Sequence, residues 1–154
     1  MILCMTGTGP YSFDRVTMKL DELAGKHDWD VFIQIGHTDF KPKHCAFESF
    51  MGRENLQNHI EKCEMVICHG GFGSIRDALS FEKPVIAIPR IAALNEVQDD
   101  HQQIMVKALE KDGYIMAIYD VDQLEDAIEK AKCFKYKERQ TSRIPSIIND
   151  FMYS

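Results

Sequence analysis

The stretch from Cys63 to Arg90 constrains the fold more than any other part of the chain. An apolar run, Met65 to Cys68, enters His69-Gly70-Gly71-Phe72-Gly73-Ser74, helical spacing begins near Phe72, and a second apolar run, Val85 to Ile88, is stopped by Pro89. Two short strands joined through a helix run parallel, so the stretch reads as one β-α-β unit. Gly70, Gly71 and Gly73 let a ligand approach the backbone with no Cβ in the way. The helix that follows aims unpaired N–H groups and the positive end of its dipole at the same point. An anionic group, above all a phosphate, suits that point. A strand-to-helix turn that takes glycine for its geometry alone fits the same residues, and the stretch by itself does not choose between the two.

The rest of the chain repeats the pattern. Ile2 to Thr6 is an apolar run into Gly7-Thr8-Gly9-Pro10, and Phe13, Val16, Leu20, Leu23 and Ala24 then recur at helical spacing, with Asp14 placed to complement the dipole. Val31 to Ile35 predicts a second strand, ended by Gly36-His37-Thr38-Asp39, and Cys45 to Phe50 a short further one. Glu54 to Lys62 predicts a helix with Leu56 and Ile60 on one face. After Pro89 a loop turns helical near Asp99 or Asp100, either placed to cap, with Ile104, Ala108 and Leu109 as the apolar face. Tyr114 to Tyr119 reads as a sixth strand, Val121 to Ala131 as a helix with Leu124, Ala127 and Ile128 inward, and Ile144 to Met152 as a last short helix. Alternating strands and helices imply an α/β, Rossmann-like parallel sheet of about six strands, covered by helices on both faces. Ligands of such sheets collect outside the carboxyl ends of the strands. The loops Thr6 to Gly9, Gly36 to Asp39, His69 to Ser74 and Pro89 to Gln103 are therefore expected to rim one crevice.

Composition narrows the class. A chain of 154 residues with 45% hydrophobic content is expected to form one domain, residues 1–154. With no charged-then-apolar leader and no apolar run near ~20 residues, a cytoplasmic protein is expected, any membrane attachment coming from a partner. A formal net charge of -6 argues against binding nucleic acid through a basic face. Five cysteines without a Cys-x-x-Cys pair suggest free buried thiols rather than disulfides or a zinc ribbon. Cys68, His69, His37 and Cys45 match no spacing of metal ligands, so no metal is expected. The basic run Lys132 to Arg143, with Phe134 and Tyr136 interleaved, is either a solvated face or a contact with a membrane surface, a partner or a phosphate-bearing substrate.

With the loops in view, the sequence resembles the donor-binding, C-terminal half of GT-B glycosyltransferases. It is most similar to the single-domain group that includes the eukaryotic Alg13 subunit and the PssE-type subunits of bacterial exopolysaccharide or capsule biosynthesis. The residues that carry the resemblance are Met5 to Thr8 with Phe13 to Arg15, Phe32 to Phe40, His69 to Ser74, Pro89-Arg90, and Asn95-Glu96 followed by Asp99 to Gln102. It covers residues 1–131, and the order and spacing of the motifs make it specific.

The resemblance implies a UDP-sugar donor, held as substrate and without a metal or other cofactor. Gly70, Gly71, Gly73 and Ser74 would contact its diphosphate, with Thr6, Gly7, Thr8, His69 and Arg90 at the same rim. Asp77 stands where relatives carry a ribose-binding glutamate, and Val97 where many show a histidine. Glu96, His101, Gln102 and Gln103 would hold ribose or sugar hydroxyls. No general base is identified in the chain, and His37 and His69 are the candidates if it is not on a partner. His27, His44 and His59 read as surface or packing residues.

A GT-B enzyme needs two such domains. The chain is therefore expected to be the catalytic, donor-binding subunit of a split glycosyltransferase that moves a hexose-type group onto a lipid-linked saccharide acceptor. The partner would be a membrane-anchored Alg14- or PssD-like subunit that recruits the chain to the inner face of the plasma membrane, with residues 132–154 as the partner-facing segment. A non-catalytic module that binds UDP or nucleotide-sugars and a plain α/β core with a structural glycine turn are the alternatives.

Overall fold

The computed structural model describes residues 1–132. They form a six-stranded, all-parallel sheet with strand order β3-β2-β1-β4-β5-β6. The strands are β1 (Ile2–Met5), β2 (Val31–Gln34), β3 (Ala46–Glu48), β4 (Met65–Cys68), β5 (Val85–Ala87) and β6 (Met116–Ala117). The helices are α1 (Asp14–His27), α2 (Arg53–Lys62), α3 (Phe72–Ser80), α4 (His101–Lys111) and α5 (Leu124–Ala131), with short 3-10 turns at Ala92–Leu94 and Val121–Gln123. The chain builds outward from β1 to the β3 edge, then returns to lay β4 on the other side of β1. That reversal is the doubly wound arrangement, and it parts the loops after β1 and β4 so that a crevice opens between them.

Both faces of the sheet are covered because its strands are apolar on both sides. Cys4, Ile33, Ile67 and Ile86 face one layer, where Val16, Leu20 and Leu23 of α1 and Leu124 and Ile128 of α5 pack. Leu3, Met5, Val66 and Val85 face the other, against Ile60 of α2, Ile75 and Leu79 of α3, and Val106 and Leu109 of α4.

Among the described residues the elements expected from sequence form, with shorter strands. One helix face differs: α4 buries Met105, Val106 and Leu109 and leaves Ile104 54% exposed. The register rotates because α4 must set Val106 and Leu109 against the core while Gln102, one turn earlier, reaches the crevice. Capping near α4 also divides: Asp99 accepts from the His101 N–H at 2.9 Å, whereas Asp100 accepts from Ala92 at 2.9 Å and ties the preceding loop. The thiols of Cys4, Cys45, Cys63 and Cys68 are free and buried, and burial pushes that of Cys68 up to about 12. His27 stacks on Trp29, His59 packs against Phe32 and the His44 ring covers Gly25, so all three are packing residues. Cys133, the basic residues 133–143 and the expected helix from Ile144 lie outside the described residues.

Ile67 is central in β4 and has no exposed surface. Ile67→Ala is expected to cost about 2–5 kcal/mol, read as a lower urea midpoint at unchanged m; a loss below about 1 kcal/mol would mean that the strand is not the closely packed centre described.

Candidate functional site

Where β1 and β4 part, a crevice of about 800 Å³ opens at their carboxyl ends. That volume suits a ligand of nucleotide-sugar size. One wall is the loop after β1, Thr6 to Tyr11; the floor is the turn His69 to Ser74 at the start of α3; the opposite wall is Glu96 to Gln98 with His101, Gln102 and Met105. Phe50, Met51 and Leu56 supply an apolar rim. The first turn of α3 has neither a side-chain cap nor an acidic residue. Its N–H groups and dipole therefore act on the crevice without internal competition.

His69 is wedged into this floor. A Cβ on Gly7, whose φ is +89°, would come within 2.7 Å of Nε2, and a Cβ on Gly71 would collide with Cε1. Glycine at both positions is what lets the ring fit. Its Nε2 lies 3.4 Å from Ser74 Oγ, and its buried Nδ1 has no partner among the described residues. Burial, reinforced by the charge of Arg90, pushes the imidazole down to about 4. At neutral pH the ring is uncharged, a hydrogen-bonding group rather than an effective proton acceptor. The amide oxygen of Gln102, on the opposite wall, is likewise buried and has no partner among the described residues.

Several residues expected as ligand contacts use their polar groups within the chain. Thr6 is fully buried and donates its hydroxyl to Gln34 O at 2.9 Å. Arg90 donates to the carbonyls of Thr6, Tyr11, Ser12 and Glu96, and its guanidinium lies 4.5 Å from the Phe13 ring centroid. Glu96 accepts from Arg15 Nε at 2.8 Å through one oxygen and from the Ile91 N–H at 3.0 Å through the other. Gly7, Thr8, Gly70, Gly71, Gly73, Ser74 and His101 line the crevice as well. Asp77 and Gln103 do not, Asp77 because it sits half-exposed in the second turn of α3 and Gln103 because its amide turns back to Asp100 at 3.3 Å.

The expectation that four loops share one rim holds for three. The turn Gly36 to Asp39 stands behind the first wall and does not line the crevice, because its polar groups hold that wall in place. Thr38 Oγ1 accepts from the Phe13 N–H at 3.1 Å, the Asp39 N–H donates to Ser12 Oγ at 3.2 Å, and His37 Nδ1 lies 2.9 Å from Gly9 O. His37 is thus exposed outside the crevice. The second β-α unit instead contributes Gln34, whose amide oxygen accepts from the Gly7 N–H at 3.1 Å while its nitrogen donates to Gly7 O at 3.0 Å and Ser49 O at 2.9 Å. A lone amide inside an apolar strand was the available signal for Gln34, and Arg15 stands in one of the motifs that carry the resemblance, while nothing local marks Phe50. Among the described residues no group of three or more His, Cys, Asp or Glu side chains could hold a metal ion, and no helix is long and apolar enough to cross a membrane.

The model of the glycosyltransferase family 28 C-terminal domain matches residues 1–151. The chain belongs to that family. Within it, the UDP-N-acetylglucosamine transferase subunit ALG13 of Cryptococcus neoformans is 29% identical over 123 residues, which cover 74% of this chain and 58% of the relative. Its human counterpart is 30% identical over 91 residues, 55% of this chain and 8% of the relative. This family 28 domain therefore spans little more than half of the fungal relative and a small part of the human one. Among solved structures, the glycosyltransferase of kitacinnamycin superposes with a TM-score of 0.62 at 16% identity, covering 99% of this chain and 39% of that one. The UDP-GlcNAc 2-epimerase of Methanocaldococcus jannaschii gives 0.64 at 11% identity, covering 99% and 45%. At such identities both show the GT-B-type fold shared with the family 28 domain, and no more than the fold.

The depressed His69 pKa has a testable consequence. An unfolded chain binds a proton on His69 near 6.5 and the folded chain only near 4, so the contribution of His69 to stability is complete above about 6.5 and is lost as pH falls toward 4. Urea denaturation across that window is expected to show the parent losing stability faster than His69→Gln. Parallel curves would mean that the ring is not buried neutral.

Proposed function

We propose that this chain is the donor-binding subunit of a split glycosyltransferase that transfers a sugar from a UDP-sugar to a lipid-linked saccharide acceptor. The carrying observation is the crevice at the β1/β4 switch point, where the uncapped first turn of α3 meets Gly70, Gly71, Gly73 and Ser74. In this reading the diphosphate sits on the N–H groups of that turn, with the Ser74 hydroxyl as a further donor. Charge that builds on the departing UDP is met by donors already in place, with no metal required of this chain. Gln102 and His101 face the sugar, and the unpartnered amide oxygen of Gln102 suits a hydroxyl donor. The names of the ALG13 relatives support UDP-N-acetylglucosamine as the first donor to test.

The acceptor and the general base are assigned to a membrane-anchored companion resembling Alg14 or PssD. One Rossmann-like sheet supplies half of a GT-B cleft, and neither His37, outside the crevice, nor His69, with its lowered pKa, is an effective base. The companion would hold the chain at the cytoplasmic face of the membrane, in an exopolysaccharide or capsule pathway. A binding module without transfer is the second reading, favoured by the position of Asp77 outside the crevice.

Calorimetric titration of the purified chain is expected to show binding of UDP and UDP-N-acetylglucosamine, weakened on the order of tenfold by Ser74→Ala, the range of a hydrogen bond to a charged group. Absence of binding at millimolar UDP would overturn the donor-site reading. Transfer of labelled sugar in membranes containing both subunits, and not with either alone, is the outcome expected of the split enzyme. Binding without transfer from any UDP-sugar would favour the module.

A further inference from the structure

Arg90 and Glu96 are each only 5% exposed, and Arg15 has 17% of its side chain exposed. Buried charges at such positions are stable only when paired and fully hydrogen-bonded. Glu96 meets this by closing a ring: its carboxylate takes Arg15 Nε and the Ile91 N–H, while its own N–H donates to Ile91 O at 3.3 Å. Residues 91–96 are thereby tied off as a compact loop, with Asn95 in the left-handed region at φ 57°. The next residues, Val97, Gln98, His101 and Gln102, form the far wall of the crevice. Arg15 anchors the same loop to its surroundings through Pro89 O at 3.0 Å and Tyr119 O at 3.4 Å. Arg90 joins Glu96 O at 2.9 Å to the first wall through the carbonyls of Tyr11 and Thr6. The Glu96 carboxylate pairs with Arg15 while Arg90 bonds only carbonyls, so the cluster of two guanidinium groups and one carboxylate keeps an excess positive charge beneath the crevice of an acidic chain.

Resting on the donor-site reading above, we propose that Arg15, Glu96 and Arg90 are positioning residues. They lock the wall Val97 to Gln102 to the loop after β1, and their unbalanced positive charge adds to the attraction of α3 for the diphosphate. Arg15 and Glu96 set the wall that faces the sugar, and Arg90 additionally supplies charge near the floor, where its field already acts on His69. The three contacts act as one unit, because each fixes the geometry that the others need.

The test uses the purified chain with UDP and UDP-N-acetylglucosamine as calorimetric probes. Backbone hydrogen exchange of residues 97–102 is read in parallel without ligand, and thermal melts show that each variant is folded. Arg15→Met and Glu96→Gln are expected to weaken UDP-N-acetylglucosamine on the order of tenfold and UDP by less than about threefold, with faster exchange at 97–102. The double variant should lose no more than either single, as for residues in one network. Arg90→Met should weaken both probes, whereas Arg90→Lys, which keeps the charge and drops the fork, should retain UDP affinity within about threefold and still loosen the wall. Equal losses for the two probes in Arg15→Met, additive losses in the double variant, or parental exchange at 97–102 would overturn the proposal. If the parent binds neither probe, the donor-site reading fails and the charge role with it. Exchange at 97–102 then decides the locking of the wall by itself.

Discussion

A guanidinium removed from water must find its hydrogen bonds inside the protein, and at this site Arg90 finds them in carbonyls from both walls of the crevice. Those carbonyls belong to the loops after β1 and β5, outside any strand or helix ladder, so each would be left unsatisfied without a donor. Arg90 lies against the face of Phe13 at the start of α1, with Arg15 on the same ring at 5.4 Å. The crevice is therefore shaped by charge buried behind it as much as by the residues that line it. Its mouth stays open because the sheet order separates the loops after β1 and β4, and its walls stay fixed because these side chains bridge them.

The floor follows a different logic. His69 occupies a slot that exists only because Gly7 and Gly71 lack side chains. Gln34 holds the Gly7 peptide from below through both its N–H and its C=O, so the backbone of the first wall is set by an amide from the neighbouring strand. The glycines after β1 and β4 thus serve one arrangement: the first lets the ring in from one side, the second from the other, and α3 begins immediately beyond. A turn that needed glycine only for its own backbone angles would not require clearance around a neighbouring imidazole at two separate loops. That clearance is a packing role for Gly7 and Gly71, whereas a Cβ on Gly73 would meet nothing within 4 Å.

The alternation of apolar runs and helical spacing was enough to place the six strands and five helices of the described residues, since both periods are set locally by the backbone. The rim was legible only in part. Gly36 to Asp39 follows a strand like the other loops, but Thr38 and Asp39 bond the loop after β1 and so stand behind it. Ile104 has the spacing of a core residue and is exposed, because α4 rolls to bury Met105 and Val106 while presenting Gln102. Neither outcome has a local cause. Each depends on which surface the element meets.

Taken by itself, the sequence determined that the chain would form a parallel sheet with a glycine-lined strand-to-helix turn at a strand end, because β-α-β alternation leaves few other ways to bury these strands. Only the tertiary structure decided which polar groups are free for a ligand. Arg15 reaches Glu96 across 81 positions of sequence and Gln34 reaches Gly7 across 27, and such bonds, with those of Thr6 and Arg90 to main-chain carbonyls, engage polar groups of the crevice lining within the protein. His69 Nδ1 at the floor and Gln102 Oε1 on the opposite wall have no partner among the described residues. A buried donor or acceptor takes the partner that folding brings within about 3 Å, and that partner is set by how distant segments pack rather than by neighbours in the chain.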